Sequence, residues 1–418
     1  MGKGAVAILR LSGAGISEIV RQLAGSLPQP RRAALRMLRG RDGESLDQAI
    51  VIWFEAPASF TGENCAELHL HGGRAVLQSV TSELLALGAR PAEAGEFSRR
   101  AFLNHKIDLL QAEGISDLVA AETESQRRQA MRQMQGALSN LLQEWSQGLR
   151  LVLAFQEALI DFPDEDLPSQ VEDQLNVEMR ALRDVMAAHV ADHRRGERLR
   201  EGLMIAVVGP PNVGKSSLVN LLAGQDVAIV SSTAGTTRDA LEVRLDLAGV
   251  LATLVDTAGL RETADFVEAE GVRRARRRFE EADLVVLVAD ASDPALEMPA
   301  SLGPVLRVAN KCDLAKAPAG MLGVSALTGT GIAELRSELN ARAHDLAERA
   351  GPPPLTRERH RAALADTVSA LEGALAAELP ELRAEDLRSA LRHLGKITGQ
   401  VGVEDLLDTI FGSFCIGK

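Results

Sequence analysis

Gly209-Pro210-Pro211-Asn212-Val213-Gly214-Lys215-Ser216-Ser217 lies between an apolar run, Leu203 to Val208, and a second apolar series, Leu218, Val219, Leu221 and Leu222. That order predicts strand, glycine loop and helix. G-x-x-x-x-G-K-[ST] in such a setting is a phosphate cradle. Its glycines let backbone N–H groups face phosphate oxygens, and the helix N-terminus adds positive potential. In this cradle, formed with Asn212, Val213, Gly214 and Ser217, Lys215 reaches the β- and γ-phosphates and Ser216 holds magnesium. An ordinary strand-to-helix turn is the bland alternative, disfavoured by the matching context on both sides.

A phosphate loop does not choose between ATP and GTP, but the motifs downstream do. Asn310-Lys311-Cys312-Asp313 follows an apolar strand. A carboxylate such as Asp313 accepts two hydrogen bonds from guanine N1–H and the exocyclic amine, and adenine has neither group in that arrangement. Ser325-Ala326-Leu327, after the next strand, supplies backbone contact to the base oxygen. Asp256-Thr257-Ala258-Gly259 ends another strand; Asp256 suits the magnesium surroundings and the Gly259 N–H the γ-phosphate. In Thr233-Ala234-Gly235-Thr236-Thr237-Arg238-Asp239, which follows Ser231 and Ser232, either Thr236 or Thr237 closes over magnesium as a first switch. Many GTPases carry Gln after D-x-x-G to orient the attacking water. Here the residue is Leu260, so the candidates are Arg261, Glu262, Asp265, Glu268 and Glu270. A monovalent cation held by Asn212 and first-switch oxygens would neutralise transition-state charge.

Outward from the loop, strands predicted over Leu203–Val208, Leu241–Leu247, Leu251–Val255, Leu284–Ala289, Val305–Ala309 and Met321–Val324 alternate with helices. That pattern implies a mostly parallel sheet with helices on both faces. Upstream, Met131, Met134, Leu138, Leu141, Trp145, Leu149 and Val152 predict one long amphipathic helix, Val171 to His193 a second, and Arg194, Arg195, Arg198 and Arg200 an arginine-rich hinge. The first hundred residues read as mixed α/β, with strands at Ala5–Leu9, Gln48–Phe54 and Ala66–Leu70 and helices at Ile16–Leu27 and Val76–Leu87. After Gly351-Pro352-Pro353-Pro354 the chain is helical again, with stripes at Leu387, Ala390, Leu391, Leu394 and Ile397, and at Val403, Leu406, Leu407, Ile410 and Phe411. Neither stripe is buried alone, so both are expected to pack on the helices of Lys106–Arg200. The α/β unit then becomes an insert in a helical domain.

The chain has 418 residues, 46% hydrophobic and 25% charged, which is ordinary for globular domains. Aromatic residues make up 3%, too few for a base-stacking surface, and the net charge of -12 disfavours nonspecific polyanion binding. Cys65, Cys312 and Cys415 form no C-x-x-C pair, so neither a zinc nor a disulfide framework is expected. No signal peptide or bilayer-length apolar run is legible, and a cytoplasmic location without membrane contact is the expectation.

The chain resembles the MnmE (TrmE) family of tRNA modification GTPases over essentially its whole length. The resemblance is carried by Gly4-Ala5-Val6-Ala7-Ile8-Leu9-Arg10-Leu11-Ser12-Gly13, Phe60-Thr61-Gly62-Glu63-Asn64, His71-Gly72-Gly73, Gly95-Glu96-Phe97 and Arg100-Ala101-Phe102-Leu103-Asn104. Asp161-Phe162-Pro163-Asp164 and the terminal Cys415-Ile416-Gly417-Lys418 complete it. It implies α/β plus α architecture: a folate-binding α/β domain over 1–105, a helical domain over 106–200 and 351–418, and an inserted P-loop G domain over 201–350 with a mostly parallel sheet. By motif, Asn212, Ser231, Thr233 and Thr236 look like potassium ligands, Ser216 and Thr237 like magnesium ligands, and Glu268 like the water-orienting glutamate. Arg10, Glu67, Lys106 and Lys418 match folate-contacting positions, and Cys415 sits beside the implied one-carbon site. From the residues alone, Arg10 and Glu67 read as a surface pair, and Cys415 equally as a structural thiol.

The family works as a homodimer with an FAD-dependent MnmG partner, in a heterotetramer. Together they modify C5 of the wobble uridine of tRNA with a carbon from a tetrahydrofolate derivative (the 5-formyl or 5,10-methylene form). The resemblance also implies a strand ahead of Gly4-Ala5-Val6, where this chain starts at Met1-Gly2-Lys3. A ribosome-assembly GTPase switch without carbon chemistry is the alternative, and the Arg10 region and the Cys-Ile-Gly-Lys tail speak against it. The remaining features have bland readings: His69-Leu70-His71 as strand residues rather than a metal pair, Arg273 to Arg278 as a solvated helix face, and Asp161–Asp166 as a solvated loop.

Overall fold

The computed structural model describes residues 4–161, 169–192, 194–225, 242–256, 282–293, 304–347, 351–401, 404–412 and 414. The chain divides into two compact units, Met1–Ser116 with Gly395–Lys418, and Asp117–Leu394.

In the first unit, β1 (Val6–Ser12), α1 (Ile16–Ala24), β2 (Ala33–Arg39), β3 (Ser45–Phe54) and β4 (Cys65–His71) are followed by α2 (Arg74–Ala86), α3 (Glu96–Leu103) and the start of α4 (Leu109–Ala120). The strands form an antiparallel sheet in the order β1-β4-β3-β2. Alternation decides which side is covered, because successive side chains point to opposite faces. Ala66, Leu68 and Leu70 of β4 and Ala49, Val51 and Trp53 of β3 point inward, against Val20 and Leu23 of α1 and Val80 and Leu84 of α2. On the opposite face Ile8, His69, Ile50 and Leu35 stand in one register row. Ile8, Ile50 and Leu35 of that row are 57%, 42% and 60% exposed.

One polar network ties together motifs far apart in sequence. Arg100 donates to Glu96 (2.8 Å) and Glu63 (2.9 Å), and Ser12 donates to Glu63 and shares a 2.7 Å bond with Thr61. Asn104 reaches the Thr61 carbonyl at 2.7 Å. Burial pushes the Glu96 carboxyl up, but hydrogen bonds from Arg90, the Glu93 N–H and Arg100 outweigh it and hold the group at about 2. A depressed carboxyl contributes stability above its unfolded value and loses it as pH falls through the folded one. The network should therefore stabilise this unit by up to about 3 kcal/mol at neutral pH and weaken between about pH 4.5 and 2. Thermal melts of wild type and Glu96→Gln at pH 7 and pH 3 check this: the gap between the two should shrink in acid.

The second unit contains α5 (Glu124–Met134), α6 (Ala137–Asp161), α7 (Ser169–Val190), α8 (Arg195–Glu201), β5 (Leu203–Val208), α9 (Lys215–Gln225), β6 (Glu242–Leu247), β7 (Val250–Asp256), β8 (Leu284–Asp290), β9 (Val305–Asn310) and β10 (Leu322–Gly323). After these come α10 (Ile332–Ala347), α11 (Glu358–Ala376) and most of α12 (Pro380–Thr398). The sheet order is β10-β9-β8-β5-β7-β6, parallel throughout except for the β6–β7 pair. A parallel sheet is covered on both faces, which explains why β8 is apolar and buried over six consecutive residues, Leu284–Ala289.

Two expectations fail here. The helix expected to run unbroken through Met131 and Val152 is two helices, interrupted at Gln135-Gly136, where Gly136 has φ 86°. The expected hinge Arg194–Arg200 is the short helix α8. α5 opens on a capping box, with Thr123 accepting from the Gln126 N–H and Gln126 accepting from the Thr123 N–H. At the far end of α8, Asp117 receives Arg200 (3.3 Å) and both terminal nitrogens of Arg357 (2.9 Å each).

The last described helix, α13 (Glu404–Gly412), returns to the first unit. Leu407, Phe411 and Phe414 pack with Phe102, Leu109 and Ala112. This stripe is thus covered by α3 and the start of α4, only partly as expected, while α11 lies along α7.

Candidate nucleotide-binding site

The loops that carry the motifs follow the carboxyl ends of parallel strands, which is where open α/β sheets place ligands. After β5, Gly209 runs so close to β8 that a Cβ there would lie 2.0 Å from the Val288 carbonyl oxygen. Gly214 has φ 91°, and a Cβ on it would meet Asn310 Nδ2 at 2.4 Å. Both glycines of the motif are therefore required by geometry, one by contact and one also by its left-handed backbone. Lys215 begins α9, is 6% exposed, and donates to the carbonyls of Gly209 (2.9 Å) and Pro210 (2.8 Å). Its ammonium is held over the loop by the backbone that would surround the phosphates. Ser216 and Ser217 follow in the first turn of α9. Val213 is buried, and Asn212 adopts φ 64°.

Asn310 has a role that its motif does not advertise. It is 2% exposed, donates from Nδ2 to the Val213 carbonyl (2.7 Å), and accepts the Ala326 N–H on Oδ1 (2.9 Å). One amide therefore joins the phosphate loop, the Asn310–Asp313 turn and the Ser325–Ala326 turn. Ser325 donates to Asp313 Oδ1 at 2.5 Å, and the Ser325 hydroxyl accepts from the Thr328 N–H at 3.2 Å. The carboxylate that would read guanine is thus oriented by a serine that is itself fully buried. Lys311, at φ 65°, makes a 2.7 Å ion pair with Asp290, the last residue of β8. That pair, with help from Ser292, holds the Asp290 carboxyl at about 2, well below the usual range. Asp290 escaped the sequence reading because no motif marks it; its position at a strand end was the available signal. Asp256 ends β7, opposite Val207 of β5.

Ser231, Ser232, Thr233, Ala234, Gly235, Thr236, Thr237, Thr257, Ala258, Gly259, Glu268, Cys415 and Lys418 lie outside the described residues.

In the first unit the structure brings Arg10 and Glu67 together, with Arg10 Nε and Nη2 donating to one carboxylate oxygen at 3.0 and 2.8 Å. The rings of Phe60 and Phe97 each lie 5.9 Å from the guanidinium carbon. Lys106 donates to the Pro57 carbonyl (3.0 Å), on the same loop that carries Phe60. Both aromatic residues stand in motifs quoted from the sequence, but their approach to Arg10 is long-range and no spacing announces it. His69 pairs with Glu67 and His71 with Asp47, and among the described residues no group of three metal-ligating side chains occurs. No described helix is long and apolar enough to cross a membrane.

Comparison with known proteins identifies the family. The family profile described as the MnmE helical domain matches residues 109–415, and that described as the GTP-binding protein TrmE N-terminus matches residues 1–106. The tRNA modification GTPase MnmE of Gluconacetobacter diazotrophicus is 55% identical, over 100% of this chain and 97% of that protein. That of Granulibacter bethesdensis is 52% identical over 100% and 97%, and that of Acidiphilium cryptum 54% over 99% and 96%. With family profiles matching residues 1–106 and 109–415 and full-length identity above one half to these relatives, the chain belongs to the MnmE family of tRNA modification GTPases.

Proposed function

We propose that this protein is the potassium-dependent, GTP-hydrolysing component of a tRNA wobble-uridine C5 modification enzyme. The observation that carries the reading is the Asn310 brace between the phosphate loop and the base-reading turns, in a chain matched end to end by tRNA modification GTPases. In this reading residues 201–350 hydrolyse GTP, inserted between helical segments 106–200 and 351–418, and residues 1–105 bind a tetrahydrofolate derivative. Its location is the cytoplasm.

Lys215 and the loop N–H groups bind and orient the phosphates, and Asp313 with Ala326 selects guanine. Ser216 and Thr237 would hold magnesium, whose bound charge offsets that of the phosphates. The Ser216 hydroxyl in the first helical turn fits that part. Asn212, Ser231, Thr233 and Thr236 would hold potassium, which supplies positive charge where other GTPases use an arginine. Glu268 orients the attacking water in place of the missing glutamine. Glu268→Ala should keep nucleotide affinity and lose about two to three orders of magnitude of turnover. Normal turnover in that variant would sink the assignment.

The one-carbon half rests on Arg10, Glu67, Lys106 and Lys418, with Cys415 alongside. Arg10 and Lys106 suit a glutamate tail, Glu67 a pterin edge, and the half-exposed Phe60 ring a flat heterocycle. An FAD-dependent MnmG-type protein is the partner and tRNA the substrate. The open apolar row of Ile8, Ile50 and Leu35 supports a homodimer, with a second copy covering that face.

The deciding experiment measures GTP turnover in potassium and in sodium, with folate binding on the same sample. Potassium should raise turnover at least about tenfold over sodium, as expected for a cation placed at developing charge. Equal rates in the two salts would remove the cation reading, and absence of folate binding the one-carbon half.

A further inference from the structure

We propose that the β2 edge of the four-stranded sheet binds the phosphate backbone of tRNA. The proposal rests on the reading that tRNA is the substrate, and it names the surface of the first unit that meets it. β2 is the last strand in the order β1-β4-β3-β2. Arg31-Arg32-Ala33-Ala34-Leu35-Arg36-Met37-Leu38-Arg39-Gly40-Arg41, the stretch that holds it, has five arginines and no acidic residue. Extended chain rises about 3.3 Å per residue, so the arginines are spread over roughly 30 Å. In a protein of net charge -12, such a run of one sign goes against the overall field.

The partners of these side chains set them apart from other arginines of the unit. Arg10 pairs with Glu67, Arg90 and Arg100 pair with Glu96, and Arg41 at the end of the run pairs with Glu83. Arg31, Arg36 and Arg39 meet neutral oxygens instead. Arg31 Nη2 donates to the Ala58 carbonyl at 2.6 Å, and its guanidinium carbon lies 5.9 Å from the centre of the Phe54 ring. Arg36 Nη1 donates to the Leu35 carbonyl at 3.1 Å. Arg39 Nη1 donates to the Gly43 carbonyl at 3.2 Å and to the Ser45 hydroxyl at 3.3 Å. Arg31, Arg32 and Arg39 are exposed and Arg36 is half-buried. Each guanidinium has five N–H donors, so these contacts leave donors for an outside ligand. Charge on an edge strand also discourages pairing with another chain, but that role needs no fixed orientation. Here Arg31 and Arg39 are tethered by backbone carbonyls of neighbouring loops.

The chemistry selects the partner. Guanidinium forks bind phosphate oxygens two at a time. A row of them along a straight edge suits a succession of phosphates on a folded RNA better than one small anion. The run contains no aromatic residue on which an unpaired base could stack. The edge therefore grips backbone and positions the RNA, and base identity is read elsewhere.

The test uses the full chain with GDP and magnesium and an unmodified tRNA transcript, with binding followed by fluorescence anisotropy between about 50 and 200 mM salt. With four phosphates neutralised, the logarithm of the affinity should fall against the logarithm of salt with a slope of about -3. Arg32→Gln/Arg39→Gln should flatten that slope by about 1.5 and lower affinity about tenfold, uniformly across tRNA sequences. Its melting temperature, GTP turnover and folate binding should stay at the wild-type level. Arg32→Lys/Arg39→Lys keeps the charge and loses the fork, so it should restore the slope and only part of the affinity. Wild-type affinity and slope in the glutamine variant would overturn the surface and leave the tRNA-modification reading standing. Absence of tRNA binding by the wild type would also overturn it, whereas potassium-stimulated turnover and folate binding judge the broader reading independently.

Discussion

Lys215→Ala should lower GTP turnover by about two to three orders of magnitude, the usual cost of removing a charge aimed at developing negative charge. The position explains why the loss should be large. The side chain is almost fully buried at the start of α9, and its ammonium is fixed by two carbonyls of the loop itself. Alanine removes the charge and leaves both carbonyls without that donor, so part of the loss should appear as weaker nucleotide binding. Single-turnover hydrolysis together with the affinity of a fluorescent nucleotide separates the two components. Turnover within threefold of wild type at saturating GTP would show that this lysine does not act on the γ-phosphate.

Asp313→Asn should cost GTP about a hundredfold in affinity, and it should make xanthosine triphosphate the better ligand. Two charge-assisted hydrogen bonds at about 1.5 kcal/mol each account for the first figure, and the exposure of Asp313 places them at the weak end of the range. The second follows from sign. Asparagine offers a donor where the carboxylate offered an acceptor, and xanthine carries a carbonyl where guanine carries an amine. Ser325 should keep the new side chain oriented, because its hydroxyl can donate to the amide oxygen as it does to Asp313 Oδ1. Competition binding of the two nucleotides measures the switch, and unchanged preference for guanine would mean that the base is read elsewhere.

The candidate nucleotide site was legible in the sequence because the features that mark it are local. Gly209 and Gly214 are dictated by backbone approach and dihedral angle, and Lys215 by its place at a helix start; such requirements leave short, fixed spacings. What bridges distant segments was not legible. Asn310 was read as a nucleotide contact, and nothing in its motif announces that its amide also joins Val213 to Ala326. β2 was missed for a different reason. Its outward residues Leu35 and Met37 are apolar and exposed, so the polar–apolar alternation that announces a half-buried strand is absent. The break between α5 and α6 was hidden because Met134 and Leu138 keep helical spacing across it, and only the backbone of Gly136 departs. The network of Ser12, Thr61, Glu63, Glu96 and Arg100 links several scattered family motifs at once, yet apart from the i,i+4 pair of Glu96 and Arg100 none of its members predicts another by spacing.

The Asn310 amide has a consequence for how ligands compete. Because one side chain spans the loop proposed for the phosphates and the turn proposed for the base, it ties the two halves of the candidate site together. A molecule long enough to touch both gains from each contact without a second loss of translational freedom, while guanosine or inorganic phosphate alone engages one half. The site should then act as a molecular caliper, sensitive to the span of its ligand as well as to its ends. Fragments supplied together should bind far more weakly than the intact nucleotide, and loosening the caliper at Asn310 should narrow that difference.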